Sequence, residues 1–287
     1  MFALGTAQFG LDYGISNKSG KLNQKVVIDL LEYASEKKID YLDTANVYGN
    51  SEEILGKLSQ YTLPFKFITK TSHIRESRVD KVKEDFFSSL AKLKRDYIDI
   101  LLVHNADELL GVCGDELYKV LCDLKNNGYV KKIGVSVYTA EEALKVQNNY
   151  SIDVIQFPIN VINQSFSVSN TLSELHARGL ELHARSVYLQ GLLLMPLKEI
   201  PAYFNPILPL LKKYQEELLS RNMDFIEGAL GYVKRVKNID CIVFGVENKN
   251  QLEEFFNAYD KKIPDIDYSK FNVSDEKYIN PALWDCN

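Results

Sequence analysis

Eight short apolar runs recur along the 287 residues, at 2–4, 41–43, 65–69, 97–103, 131–137, 153–157, 180–186 and 241–245, with mixed polar and apolar segments between them. Those segments include QKVVIDLLEYASEKK, SRVDKVKEDFFSSLAKL, GDELYKVLCDLKNN, AEEALKVQNN and SNTLSELHARG, whose apolar residues fall three and four apart, the period of an amphipathic helix. Asn127-Gly128 and Arg178-Gly179 mark helix stops. Buried strands alternating with helices build parallel βα units. Eight such units without a long linker or a break in composition predict an α/β fold, a (β/α)8 TIM barrel in a single domain over 1–287, in preference to two doubly wound domains. Two stretches interrupt the repeat. PLKEIPAYFNP at 196–206 is expected to cap the catalytic end, as part of a loop over about 190–207. The stretch 263–287 has aromatics but little helical period, and is expected to fold across the barrel as a tail, with partial disorder as the alternative.

Composition narrows the function classes. The chain is 46% hydrophobic and 25% charged with a net charge of -5, the balance of an ordinary globular protein. A modest acidic excess argues against nucleic acid as a partner, because a phosphate backbone calls for a concentrated basic face. The N-terminus, MFALGTAQFGLDYG, has no basic leader followed by a long apolar stretch, so neither a signal peptide nor a membrane span is expected and the cytoplasm is the default location. Cys113, Cys122, Cys241 and Cys286 are widely separated with no metal-ligand spacing, and read as free thiols. No histidine or acidic spacing closes a metal site: His73 reads as a loop residue, His176 as helical and His183 as part of the seventh strand.

Four polar residues follow apolar runs in the first third of the chain: Asp43 and Tyr48 in DTANVYG, Lys70 in FITKT and His104 in ILLVHN. A barrel would carry all four to one end. Tyrosine can protonate a carbonyl oxygen as hydride reaches the carbon, but its ordinary pKa near 10 makes it a weak acid. Lys70 is placed to supply a cation that lowers this value, Asp43 to hold the lysine charged, and His104 to donate to the carbonyl and orient it. Each residue alone has a structural explanation; together, in barrel order, they describe a carbonyl-reducing site.

LGTAQFG, DTANVYGNSEEILG, ITKT, LLVHN, KKIGVSVYT, DVIQFPINVINQ, HARSVYLQGLLL and IVFGVENKNQLEEF together resemble the aldo-keto reductase family over nearly the whole barrel. The resemblance implies a (β/α)8 barrel that binds NADP or NAD at the C-terminal ends of its strands without a Rossmann fold. By position it makes Tyr48 the general acid, Lys70 its pKa modifier, Asp43 the partner of Lys70 and His104 the orienter. Ser136 and Gln156 match positions that hold the nicotinamide carboxamide, while Val137 stands where the family usually has Asn. Arg185 aligns with an aromatic that stacks on the nicotinamide ring; a guanidinium could stack, contact phosphate or face an anionic substrate. At 245–255 the family commonly carries a basic cluster for the ribose phosphate of NADP. Here Gly245 and the following amides could cradle phosphate, Lys249 offers one charge, Gln251 replaces an Arg, and Glu247 could accept from an unphosphorylated ribose. NADP and NAD therefore both remain open as cofactor.

The expected activity is reduction of an aldehyde or ketone, or the reverse oxidation of an alcohol. Tyr13, Asn17, Asn46 and Asn105 would suit a sugar-like, polyhydroxylated substrate, although loops rich in Asn need no such reason. Two alternatives keep the barrel: a sensor or scaffold that binds nicotinamide nucleotide without turnover, and non-redox sugar chemistry on a tightly held cofactor. Asn160 is read as bracing a loop and Trp284 as pinning the terminus or closing a pocket. A monomer or weak homodimer is expected.

Overall fold

The computed structural model describes residues 1–73 and 79–285. Ser77 and Arg78, the expected start of one amphipathic segment, and Cys286, read as a free thiol, lie outside the described residues; Cys113, Cys122 and Cys241 are free thiols.

Eight parallel strands close on themselves in chain order: β1 (Phe2–Gly5), β2 (Tyr41–Asp43), β3 (Lys66–Lys70), β4 (Ile98–Val103), β5 (Val130–Ser136), β6 (Val154–Pro158), β7 (Glu181–Arg185) and β8 (Cys241–Gly245). β8 pairs with β1, so no strand edge is left open. The two-residue side-chain period of a strand then sorts the apolar residues into two populations. Ala3, Tyr41, Ile68, Ile100, Leu102, Val154, Cys241 and Val243 pack together inside the barrel. Their odd-spaced neighbours, such as Leu4, Leu42, Phe67, Leu101, Ile155 and Phe244, join the separate core between strands and helices.

The helices on the outside show why these segments fold as they do. Gln24–Glu36 starts at Asn23, whose side chain accepts the Val26 amide, and buries Val27, Leu30, Leu31 and Ala34 against the strands. Ala140–Asn149 begins with a capping box in which Thr139 and Glu142 satisfy each other's backbone amides. Asp80–Leu93 ends where Lys94 turns left-handed at φ 53.

Among the described residues, the longest helices beyond the segments that sequence periodicity picked out are Leu208–Ser220, Phe225–Val233 and Lys249–Asp260. In Phe225–Val233 every residue from Glu227 to Val233 is buried, so the segment is enclosed all round and carries no amphipathic stripe to read.

Between β7 and Leu208–Ser220 the chain makes three short 3-10 turns, Leu192–Leu194, Leu197–Glu199 and Ala202–Ile207. The segment entering them holds Ser186, Leu189 and Gln190 at positive φ, a costly backbone for residues with a Cβ. Gly191 follows at φ +89, where an added Cβ would stand 1.8 Å from Ser16 Oγ, so glycine is required for the first loop to close against this insertion. Lys18 bonds Glu199 at 2.6 Å across the same gap. At the chain's end, Gln164 donates to the Tyr268 carbonyl, Val273 donates to Ile162, and the Trp284 ring meets Phe204 edge-on at 4.9 Å. Among the described residues no helix is long and apolar enough to cross a membrane.

Phe255 is fully buried, stacked on Phe244 at 3.6 Å and edge-on to Phe2 at 5.5 Å. Phe255→Ala is expected to cost about 3–5 kcal/mol, through lost burial and the cavity left behind. Urea unfolding measures this; a loss under about 1 kcal/mol contradicts the packing described.

Candidate active site

Two residues beyond the barrel's inner apolar layer, on the same face of each strand, the side chains become polar. From Tyr41 the step leads to Asp43, from Ile68 to Lys70, from Leu102 to His104, from Val154 to Gln156 and from Val243 to Gly245. β5 and β7 contribute Ser136 and Arg185 in the same way. One parity rule thus delivers seven residues from seven strands to the C-terminal mouth of the barrel.

Asp43, Lys70 and Gln156 are buried and bonded to one another. Lys70 Nζ donates to Asp43 Oδ1 at 2.6 Å and to the Thr44 carbonyl at 3.2 Å, and Gln156 Nε2 donates to Asp43 Oδ2 at 2.8 Å. Both carboxylate oxygens are therefore engaged, which is what keeps an ion pair tolerable away from water.

Tyr48 comes from the loop after β2, a loop anchored where Ser51 Oγ donates to the Thr6 carbonyl. Lys70 Nζ lies 5.1 Å from the centre of the Tyr48 ring, and the His104 ring meets Tyr48 edge-on at 6.2 Å. The expected lowering of the Tyr48 pKa is not what the structure shows. Burial raises it, Asp43 raises it further, and Arg185 opposes. The cation beside the ring is itself neutralised by Asp43, so desolvation of the phenolate dominates.

His104 is held at the end of β4 by its backbone amide, which donates to Thr71 Oγ1 at 3.2 Å. Its pKa falls to about 3, through burial first and then through Lys70, His73 and Arg185. Nδ1 is buried without a partner, leaving Nε2 as the ring nitrogen that can meet a ligand. His73 is an exposed loop residue, as expected, and its ring also packs on His104 at 4.8 Å and contacts Glu108 at 3.2 Å.

These residues line a cavity of about 820 Å³. Asp43, Tyr48, Lys70, His104, Ser136, Gln156 and Arg185 line it together with Gly245, Glu247 and Gln251. A Cβ on Gly245 would stand 3.1 Å from the Gln8 amide group, so the glycine leaves room for that side chain. Gln251 Oε1 accepts the Glu247 amide at 2.8 Å, and burial raises the Glu247 carboxyl. Lys249 is not among the lining residues; it sits 3.9 Å from Glu253 and 5.0 Å from the centre of the Tyr33 ring. Asn160 accepts the Ile162 and Asn163 amides and donates to the Ser186 carbonyl, bracing its loop.

Sequence reasoning missed Gln8, Tyr138, Asp224 and Glu254, which also line the cavity. Of these, Asp224 carried a readable signal, since it opens Phe225–Val233 in a capping box with Glu227. Lys70→Met leaves the Asp43 carboxylate buried with one partner removed, and is expected to cost about 3–5 kcal/mol. The double variant Lys70→Met/Asp43→Asn should recover part of this in chemical unfolding; additive losses contradict a coupled pair.

The chain matches a model of the Aldo/keto reductase family over residues 2–276. It is 30% identical over 162 residues to aldo-keto reductase YhdN of Bacillus subtilis (strain 168), covering 52% of this chain and 48% of that protein. It is 25% identical over 233 residues to L-galactose dehydrogenase of Arabidopsis thaliana, covering 75% and 72%. The match to YhdN therefore spans about half that relative's length. A holo-form aldo-keto reductase from Bacillus halodurans superposes with a TM-score of 0.74 at 17% identity, covering 99% of this chain and 93% of that one, and so shares the fold. With a family match running through all eight strands and the cavity at their C-terminal ends, the chain belongs to the aldo/keto reductase family.

Proposed function

We propose that the cavity is the active site of a nicotinamide-dependent reductase that converts an aldehyde or ketone to an alcohol, or runs the reverse oxidation. The observation that carries this reading is Tyr48 placed between the Lys70–Asp43 pair and a neutral His104 in one wall of the cavity. A volume of about 820 Å³ has room for a cofactor beside a small substrate.

The lining suits a nicotinamide dinucleotide. Ser136 and Gln156 offer hydroxyl and amide groups for a carboxamide, the backbone at Gly245 suits phosphate oxygens, and Glu247 can accept from ribose hydroxyls. Bound there, the reduced nicotinamide supplies hydride to the carbonyl carbon. Tyr48 Oη–H gives its proton to the carbonyl oxygen, and the phenolate that remains faces the Lys70 ammonium. Asp43 holds that ammonium in place, and His104 Nε2–H orients the carbonyl oxygen. Because burial keeps Tyr48 protonated, the site is poised for reduction at neutral pH, and oxidation calls for alkaline conditions.

The cavity favours NADH over NADPH. Asp224, Glu247 and Glu254 line it, Gln251 is bonded to the Glu247 amide, and Lys249 is turned toward Glu253 and Tyr33. A ribose phosphate beside Glu247 would add negative charge against these carboxylates. Tyr13, Lys18 and Gln190 bring further polar groups to the cavity, chemistry that a polyhydroxylated substrate can use, and one relative is named L-galactose dehydrogenase.

Tyr48→Phe should lower kcat by about three orders of magnitude or more, while fluorescence titration shows NADH bound as in the wild type and NADPH at least about tenfold weaker. Near-full activity in this variant contradicts the assignment of Tyr48. His104 gives a pH signature. Its folded pKa lies below the unfolded value, so the unfolded chain takes the proton first and stability falls as pH drops below about 6.5. Between about pH 7 and about pH 5 the wild type should lose roughly 2 kcal/mol more than His104→Phe in urea unfolding. Equal losses contradict a buried, neutral His104.

A further inference from the structure

Arg185 is a cation in the reaction cavity that the chain does not neutralise. It ends β7 on the inward face and lines the cavity beside Tyr48, Lys70 and His104. Its guanidinium donates from Nη2 to the Val137 carbonyl at 3.0 Å and from Nη1 to Ser186 Oγ at 3.2 Å, and lies 4.6 Å from the centre of the Tyr138 ring. Nε is buried without a partner, and among the described residues no carboxylate forms an ion pair with it.

The other charges around the cavity contrast with it. Lys70 is paired with Asp43 and Lys18 with Glu199. Asp224, Glu247 and Glu254 also line the cavity, yet none of them pairs with Arg185. Arg185 is near enough to the chemistry to act on it, since it opposes the rise of Tyr48 and adds to the depression of His104. A half-buried arginine fixed by a carbonyl, a hydroxyl and an aromatic face but left without a counter-charge is preorganised for an anion.

We infer that Arg185 is the anchor of an anion subsite, and that the preferred substrates are carbonyl compounds carrying a carboxylate or phosphate that the guanidinium binds while the carbonyl oxygen sits between Tyr48 and His104. The inference rests on the reductase reading and adds the substrate class. Tyr138 and the Val137 carbonyl hold the guanidinium plane, so they are positioning groups for this subsite.

The test compares matched aldehydes: benzaldehyde against its ortho- and para-carboxylates, and glyceraldehyde against glyceraldehyde phosphate, with NADH and NADPH binding followed by fluorescence on the same preparations. The wild type is expected to favour at least one anionic partner by tenfold or more in kcat/KM. Which pair shows the larger preference distinguishes a carboxylate from a phosphate as the natural anion. Arg185→Met should reduce that preference to about one, and Arg185→Lys should keep part of it. A melting temperature for each variant separates misfolding from lost recognition, and Arg185→Lys carries the test if Arg185→Met does not fold. No anionic preference in the wild type, or equal losses for neutral and anionic substrates in the variants, overturns the subsite while leaving the reductase reading intact. Weakened dinucleotide binding with an unchanged substrate preference assigns the guanidinium to cofactor phosphate instead, and also overturns it. Failure of the wild type to reduce any of the aldehydes while binding neither cofactor removes the reductase reading, and this inference with it.

Discussion

The Lys70–Asp43 pair, closed on its second carboxylate oxygen by Gln156, is the interaction on which the site depends. Ions inside a barrel are costly to desolvate, and this set is tolerated because its charges and hydrogen bonds are completed among three strands. The same arrangement fixes a cation against the face of Tyr48 and withholds it from solvent. Its consequence for acid–base chemistry is less direct than simple charge counting suggests. Burial and then Asp43 raise the Tyr48 phenol, so it keeps its proton in the resting site. A phenolate formed in the reaction would meet the ammonium directly.

Barrel closure turns a one-dimensional pattern into this site. Each strand alternates in and out, and the inward positions change from apolar to polar near the C-terminal end. The eight apolar runs therefore revealed both the strand order and the location of Asp43, Tyr48, Lys70 and His104. What they could not reveal was how the loops close. Lys18 meeting Glu199, and Ser16 lying against Gly191, join segments far apart in sequence, and neither contact has a local signature. The helices after the β7 insertion were obscured for another reason: Phe225–Val233 is enclosed on all sides, and helical periodicity needs a solvent face to be visible.

Individual roles were harder to read than positions. Lys249 looked like a charge for the cofactor because it follows the last strand, but it starts a helix whose first turn directs it toward Tyr33. Gln251 lines the cavity, and its Oε1 accepts the Glu247 amide. His73 is the solvent-facing loop residue that the sequence suggested, and it also lays its ring against His104. The resulting cavity has an unpaired guanidinium in the same lining as Tyr48 and several carboxylates elsewhere in its wall, an arrangement that under the proposed function would discriminate among ligands by charge.

The central claim is that a substrate carbonyl takes hydride from a nicotinamide in this cavity and a proton from Tyr48. Incubating the protein with NADH deuterated on the transferring face at the nicotinamide C4 and a carboxylated benzaldehyde, then analysing the alcohol by NMR, tests it directly. The account predicts one deuteron on the new alcohol carbon with the wild type and almost no product with Tyr48→Phe. Alcohol carrying solvent hydrogen at that carbon, or equal deuterium transfer in both proteins, would contradict it.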